Sequence, residues 1–257
     1  MIDARAFLVA AVLALAGCAS GLPAPASRER GRADDSASEC RPAVDPRRPQ
    51  LVLGYGSLME DDSRKRTSPD AGPAHPVELA GFRRGWFERG DSTGFSTTYL
   101  GVRPDAGSRI NAVAYEVAVE ELAATDARES SYCRTAVPLE HLSPREASFA
   151  LPAGAQAWIY ATDPRRIAPP DARYPIVQSY VDVFLSGCLE QEERFHLEGF
   201  ARECIATTGG WSEHWVNDRI YPRRAFVYQP RAYRIDALLS STVPRYFDRI
   251  RIEGGGT

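Results

Sequence analysis

Lysine is almost missing from this chain. Lys65 is the only one, and arginine supplies the rest of the 31 basic side chains. The arginines are scattered, so they read as a compositional bias and not as a phosphate-binding signature. The net charge of −3 gives no electrostatic footprint for nucleic acid. Histidine is scarce as well. His75, His141, His196 and His214 lack the spacing of a metal site, and each reads as a surface or core residue. There is no Cys-x-x-Cys pair, no Gly-x-Ser-x-Gly elbow and no evident Cys–His nucleophile pair. No internal repeat is present. Apart from residues 6–16, themselves too short to span a bilayer, there is no long apolar run.

That one run, Ala6 to Ala16, has signal-peptide length and follows a thin positive region at Arg5. It ends in Leu15-Ala16-Gly17-Cys18, which resembles the lipobox of bacterial lipoproteins. The resemblance implies cleavage after residue 17, acylation of Cys18 and a domain held at the cell envelope, facing outside the cytoplasm. Residues 18–49 are rich in Ala, Ser, Pro, Arg and Asp without apolar periodicity, and are expected to form a disordered tether. Residues 50–257 are then one domain. A hydrophobic content of 44% and an aromatic content of 10% suit a packed core. An extracytoplasmic setting permits disulfides among Cys40, Cys133, Cys188 and Cys204. Cys188 and Cys204 would meet if two helices fold back on each other; the pairing stays open.

The folded part reads as strands first and helices later, an α+β pattern with a small, strongly curved or closed sheet. Leu51–Leu53, Val77–Phe87, Phe95–Val102, Ile110–Val117, Tyr132–Val137 and Ala155–Ala161 read as strands. Gly90, Asp91, Pro104, Asp105 and Gly107 read as turns. Val119–Asp126 is helical, with Glu120 and Glu121 favourable at its start. A helical part begins at about residue 173. Apolar residues from Ile176 to Leu185 recur at helical spacing, Gly187 is expected to weaken or end that helix, and Glu190–Ala206 reads as a second one.

Two segments carry the chemistry. Residues 50–58, Gln-Leu-Val-Leu-Gly-Tyr-Gly-Ser-Leu, run an apolar strand into a turn whose backbone N–H groups can hold an anionic or carbonyl group. Residues 126–137 place Glu129 where a helix meets a strand, with Tyr132 following. Taken with Ala-Tyr-Glu-Val at 114–117 and Trp-Ile-Tyr at 158–160, this ordered set resembles the γ-glutamylcyclotransferase superfamily over about residues 50–190. The resemblance implies a small mixed β-barrel flanked by helices, with a C-terminal helical extension here. It implies Tyr55–Leu58 as the substrate loop, with Gly54 counted among the substrate-binding residues, and Glu129 as catalytic acid/base. Tyr132 and Tyr160 are expected to line the pocket or to pack as core residues. Ser131 departs from the glycine usual before the tyrosine, and the Gly209–Arg224 segment lies outside the match.

The implied reaction closes a five-membered ring. The α-amine of a γ-glutamyl peptide or amine attacks its own γ-carbonyl, giving 5-oxoproline and a free amine, with no metal or organic cofactor required. The alternatives are a non-catalytic envelope lipoprotein that binds a γ-glutamyl or wall-derived peptide, and a structural lipoprotein that kept only the fold. Arg134 reads as a surface residue, with pairing to a carboxylate as the other reading. Cys133 is expected to point away from the pocket. Trp211, Trp215, Asn217 and Arg219 read as an aromatic cluster packing on helices, with a pocket cap or partner surface as the other reading. The sequence leaves the oligomeric state open.

Overall fold

The computed structural model describes residues 40–92, 95–224 and 231–253. The expected leader, Cys18 and the expected tether as far as residue 39 lie outside the described residues. Among the described residues ten strands occur: β1 Gln50–Gly54, β2 His75–Ser92, β3 Phe95–Val117, β4 Tyr132–Val137, β5 Leu142–Pro144, β6 Gln156–Thr162, β7 Ile176–Val177, β8 Thr208–Gly209, β9 Trp215–Asn217 and β10 Arg251–Ile252. The helices are α1 Asp61–Lys65, α2 Val119–Arg128, α3 Gln178–Phe195, α4 Phe200–Ala206, α5 Ala232–Thr242 and α6 Pro244–Phe247. Among the described residues none is long and apolar enough to cross a membrane.

The main sheet runs β4-β6-β1-β3-β2-β5, with β8 added beside β2. It is a strongly curled half-barrel, mixed in direction: β1 pairs parallel with β6 and antiparallel with β3. Sandwiched between them, β1 is buried at every position, which is why its middle is an unbroken Leu-Val-Leu run with no alternation. The long β2–β3 ladder shifts register between Ala80 and Phe82. The expected turn residues Pro104, Asp105 and Gly107 lie at that shift. They form no chain reversal but an irregularity within continuous β3, opposite Gly81, whose φ of +82° is open to glycine. A second small sheet, β10-β9-β7, belongs to the C-terminal extension, which is therefore not purely helical.

Helix α3 buries nearly every residue from Gln178 to Leu189. It runs straight through Gly187, against expectation. A Cβ there would lie 2.5 Å from the Glu60 nitrogen and 2.6 Å from the Met59 carbonyl carbon. The glycine lets the turn after β1 rest directly on the helix backbone. The helix ends instead at His196, in the left-handed conformation (φ 53°), so the expected second helix is only its last turns, Phe200–Ala206. Cys188 and Cys204 join α3 to α4.

The second disulfide, Cys40–Cys133, was not foreseen. Residues 40–49 do not belong to a free tether. The Arg41 N–H donates to the Arg134 carbonyl at 2.8 Å, and the Asp45 N–H donates to Gln156 at 2.7 Å. The folded unit thus begins by residue 40. Arg134 is buried, not on the surface: it pairs with Asp126 at 2.9 Å and stacks over Trp158.

Candidate active site

Strand β1 delivers the chain into a tight reversal, followed by one 3₁₀ turn at Ser57–Met59. Gly54 sits behind this turn and lines no part of the cavity described below. A Cβ on it would meet the Leu58 carbonyl group at 2.9 Å, so its contribution is to let the turn fold back, not to touch a ligand. A Cβ on Gly56 would lie 2.9 Å from the Tyr180 hydroxyl. From beneath, the buried Arg84 donates to the Tyr55 carbonyl at 3.1 Å.

Glu129 caps the C-terminus of α2. Its N–H donates to the Thr125 carbonyl, and its carbonyl accepts from Tyr132, both at 2.9 Å. These two bonds hold the helix-to-strand junction and aim the side chain inward. The carboxylate keeps 15% of its surface accessible and pairs with Arg128 at 3.1 Å. Burial pushes its pKa up; Arg128 and then Arg224 pull the other way. Arg128 also donates to the Ser57 hydroxyl at 3.2 Å, the Ser63 hydroxyl at 2.9 Å and Thr67 at 3.3 Å. One guanidinium therefore ties the helix-end acid to the glycine-rich turn.

Acid and turn face one cavity system. A narrow part is lined by Tyr55, Gly56, Ser57, Leu58, Leu100, Glu129, Tyr132, Tyr160 and Tyr180. A wider part of about 190 Å³ shares Ser57, Glu129, Tyr132 and Tyr180 and adds Tyr99, Arg128, Ser131 and Arg224. The aromatic walls spend their hydroxyl protons inside the protein. Tyr55 donates to the Tyr160 carbonyl at 2.6 Å, Tyr132 to the Leu100 carbonyl at 2.9 Å, and Tyr160 to Asp126 at 2.8 Å. They offer ring surface and a remaining lone pair. The Tyr180 hydroxyl sits against the Ser57 N–H, and burial pushes its pKa up to about 12.

Cys133 faces away from the cavity, into its disulfide with Cys40. Trp211 and Trp215 are buried and stack on each other at 5.0 Å, and Arg219 is held by Asp182 and Asp236. None of these three, nor Asn217, lines the cavity. Sequence reasoning missed Tyr99, Arg128, Tyr180 and Arg224 as wall residues. Tyr180 was hidden in an apolar helical stripe. Arg224 lies some 95 positions beyond the glutamate it faces. Only Arg128, next to Glu129 at a helix end, carried a local signal.

Residues 52–179 match the profile of the family described as gamma-glutamyl cyclotransferase, AIG2-like. The chain belongs to that family. No curated protein matches it. Several solved structures resemble it at low identity. One is a gamma-glutamyl cyclotransferase, 12% identical, covering 74% of this chain and 98% of that one, with a TM-score of 0.45. A gamma-glutamyl cyclotransferase specific to glutathione, from yeast, is 13% identical over 62% of this chain and 97% of that one, at a TM-score of 0.37. YkqA from Bacillus subtilis is 16% identical over 60% of this chain and 51% of that one, at 0.40. At these identities and scores the likenesses carry no inference about activity.

Proposed function

We propose that this protein is an active γ-glutamyl cyclotransferase that converts a γ-glutamyl peptide or amine to 5-oxoproline and a free amine, with Glu129 as general acid/base. The observation that carries the reading is the meeting of a burial-raised carboxylate with the Tyr55–Leu58 turn around one cavity, in a member of this family. The γ-glutamyl group lies against the turn, folded so that its α-nitrogen reaches its own γ-carbonyl carbon. Glu129 takes a proton from that nitrogen as the N–C bond forms. The same carboxyl then returns the proton to the leaving nitrogen as the original amide bond breaks. The ring closes without a net change of charge or oxidation state. Holding the reactants together supplies much of the rate, and proton transfer typically adds 10²–10⁴-fold. The apolar leader ending at Cys18 supports an envelope location with a lipid anchor, and two disulfides suit an oxidising compartment.

The test is release of 5-oxoproline by the purified full-length chain from glutathione and a panel of γ-glutamyl dipeptides and amines. Glu129→Gln should cost about 10²-fold or more in kcat while Tm holds, since Gln keeps the size of the side chain and an oxygen beside Arg128. Activity equal to wild type in that variant removes Glu129 from the mechanism. Ligand binding without any turnover supports the binding-protein reading instead.

A further inference from the structure

The two parts of the cavity divide the substrate. Glu129, Ser57, Tyr132 and Tyr180 stand at the boundary they share. On the reading above, the bond being broken lies at Glu129. The narrow side, of about 20 Å³, then takes only the γ-carbonyl end against the turn. The amine half extends into the wider side, beside Tyr99, Ser131 and Arg224.

The two guanidiniums on that wider side differ. Arg128 spends its N–H groups on Glu129, Ser57, Ser63 and Thr67. Arg224 has no side-chain hydrogen bond among the described residues, and its Nε is buried without a partner. Its backbone is nevertheless fixed. Asp218 accepts from the Ser179 N–H at 2.7 Å and the Ser179 hydroxyl at 2.6 Å, capping the first turn of α3. Asp218 also accepts from the Arg223 N–H at 2.7 Å, and the Arg224 N–H donates to the Ser179 hydroxyl at 3.1 Å. The extension thus seats an uncommitted guanidinium one residue from Tyr180. Arg224 lies outside the segment that matches the family profile, so it is a feature of this chain's own extension.

We propose that Arg224 binds a carboxylate on the amine half of the substrate, so that the protein prefers γ-glutamyl amino acids and peptides to γ-glutamyl amines. A guanidinium fork and a carboxylate match in a bidentate pair, and the half-buried setting of Arg224 limits competition from water. Resting on the cyclotransferase reading, this assigns Arg224 as a specificity residue and leaves proton transfer to Glu129.

The experiment compares γ-glutamyl-alanine with γ-glutamyl-ethylamine, which differ only in that carboxylate, on the full-length chain. The wild type should show a kcat/KM for the acid about 10- to 100-fold above that for the amine. Arg224→Gln should bring the ratio close to one, chiefly through KM, and Arg224→Lys should keep part of it. A wild-type ratio near one overturns the proposal. A ratio unchanged in Arg224→Gln, with both substrates slowed alike, also overturns it and assigns Arg224 to structure or to the glutamyl half. Absence of turnover on both substrates would sink the cyclotransferase reading but not the assignment of Arg224. Thermal shift then decides: stabilisation by the acid and not the amine, lost in Arg224→Gln, upholds the carboxylate contact, and equal shifts refute it.

Discussion

Arg84 shows how much of the site rests on residues that never touch a ligand. Fully buried, it donates to the carbonyls of Tyr55, Asn111 and Cys204 and to the side chains of Asn111, Thr207 and Thr208. Burial pushes its pKa down to about 9, so it stays charged at neutral pH, solvated by neutral dipoles. Arg128 works at the same scale but on the chemistry. Its charge opposes the burial that raises Glu129. On the proposed mechanism Glu129 must be deprotonated to act as base, so activity should fall as pH drops through its raised pKa. Arg128→Gln removes an adjacent positive charge, so the acid limb of kcat/KM should move to higher pH, by about one unit or more. Arg128→Lys should restore part of the shift. A pH–rate profile checks both, and an unmoved limb would separate Arg128 from Glu129.

Elements explain why some of this was legible and some was not. Strand β4 occupies Tyr132–Val137, as its local pattern predicts, and α2 overruns its expected end by two residues. The turn, Glu129 and the two tyrosines were legible because each lies in a short segment with its own signal. Gly187 was misread because helix propensity speaks of the helix alone, whereas this glycine answers to a turn more than 120 positions earlier. Arg224 was invisible for the same reason: its role depends on Asp218, Ser179 and Glu129 converging from three elements. The packing of α3 on the turn gives its own prediction. Gly187→Ala forces Met59 and Glu60 outward and should cost about 1–3 kcal/mol, read as a Tm lowered by roughly 2–4 °C per kcal/mol. KM should rise with it, because the displaced residues continue directly from Ser57 and Leu58. A variant with unchanged Tm and KM would show that the contact is slack.

The whole molecule is a curled half-barrel with a C-terminal layer that both braces α3 and reaches the cavity. The proposed anchoring is a separate matter, argued from the apolar run that ends at Cys18 and not from the fold. Cys18→Ser should move the protein from the membrane fraction to the soluble one; continued membrane association would count against acylation. The Cys40–Cys133 bond alters what any such attachment means mechanically. A pull on the chain upstream of residue 40 does not run along the backbone into β1. It crosses the sulfur bridge into β4, four positions beyond Glu129. A tether anchored at Cys18, as proposed, would therefore load the face of β4 turned away from the cavity and leave the pocket side of that strand unpulled.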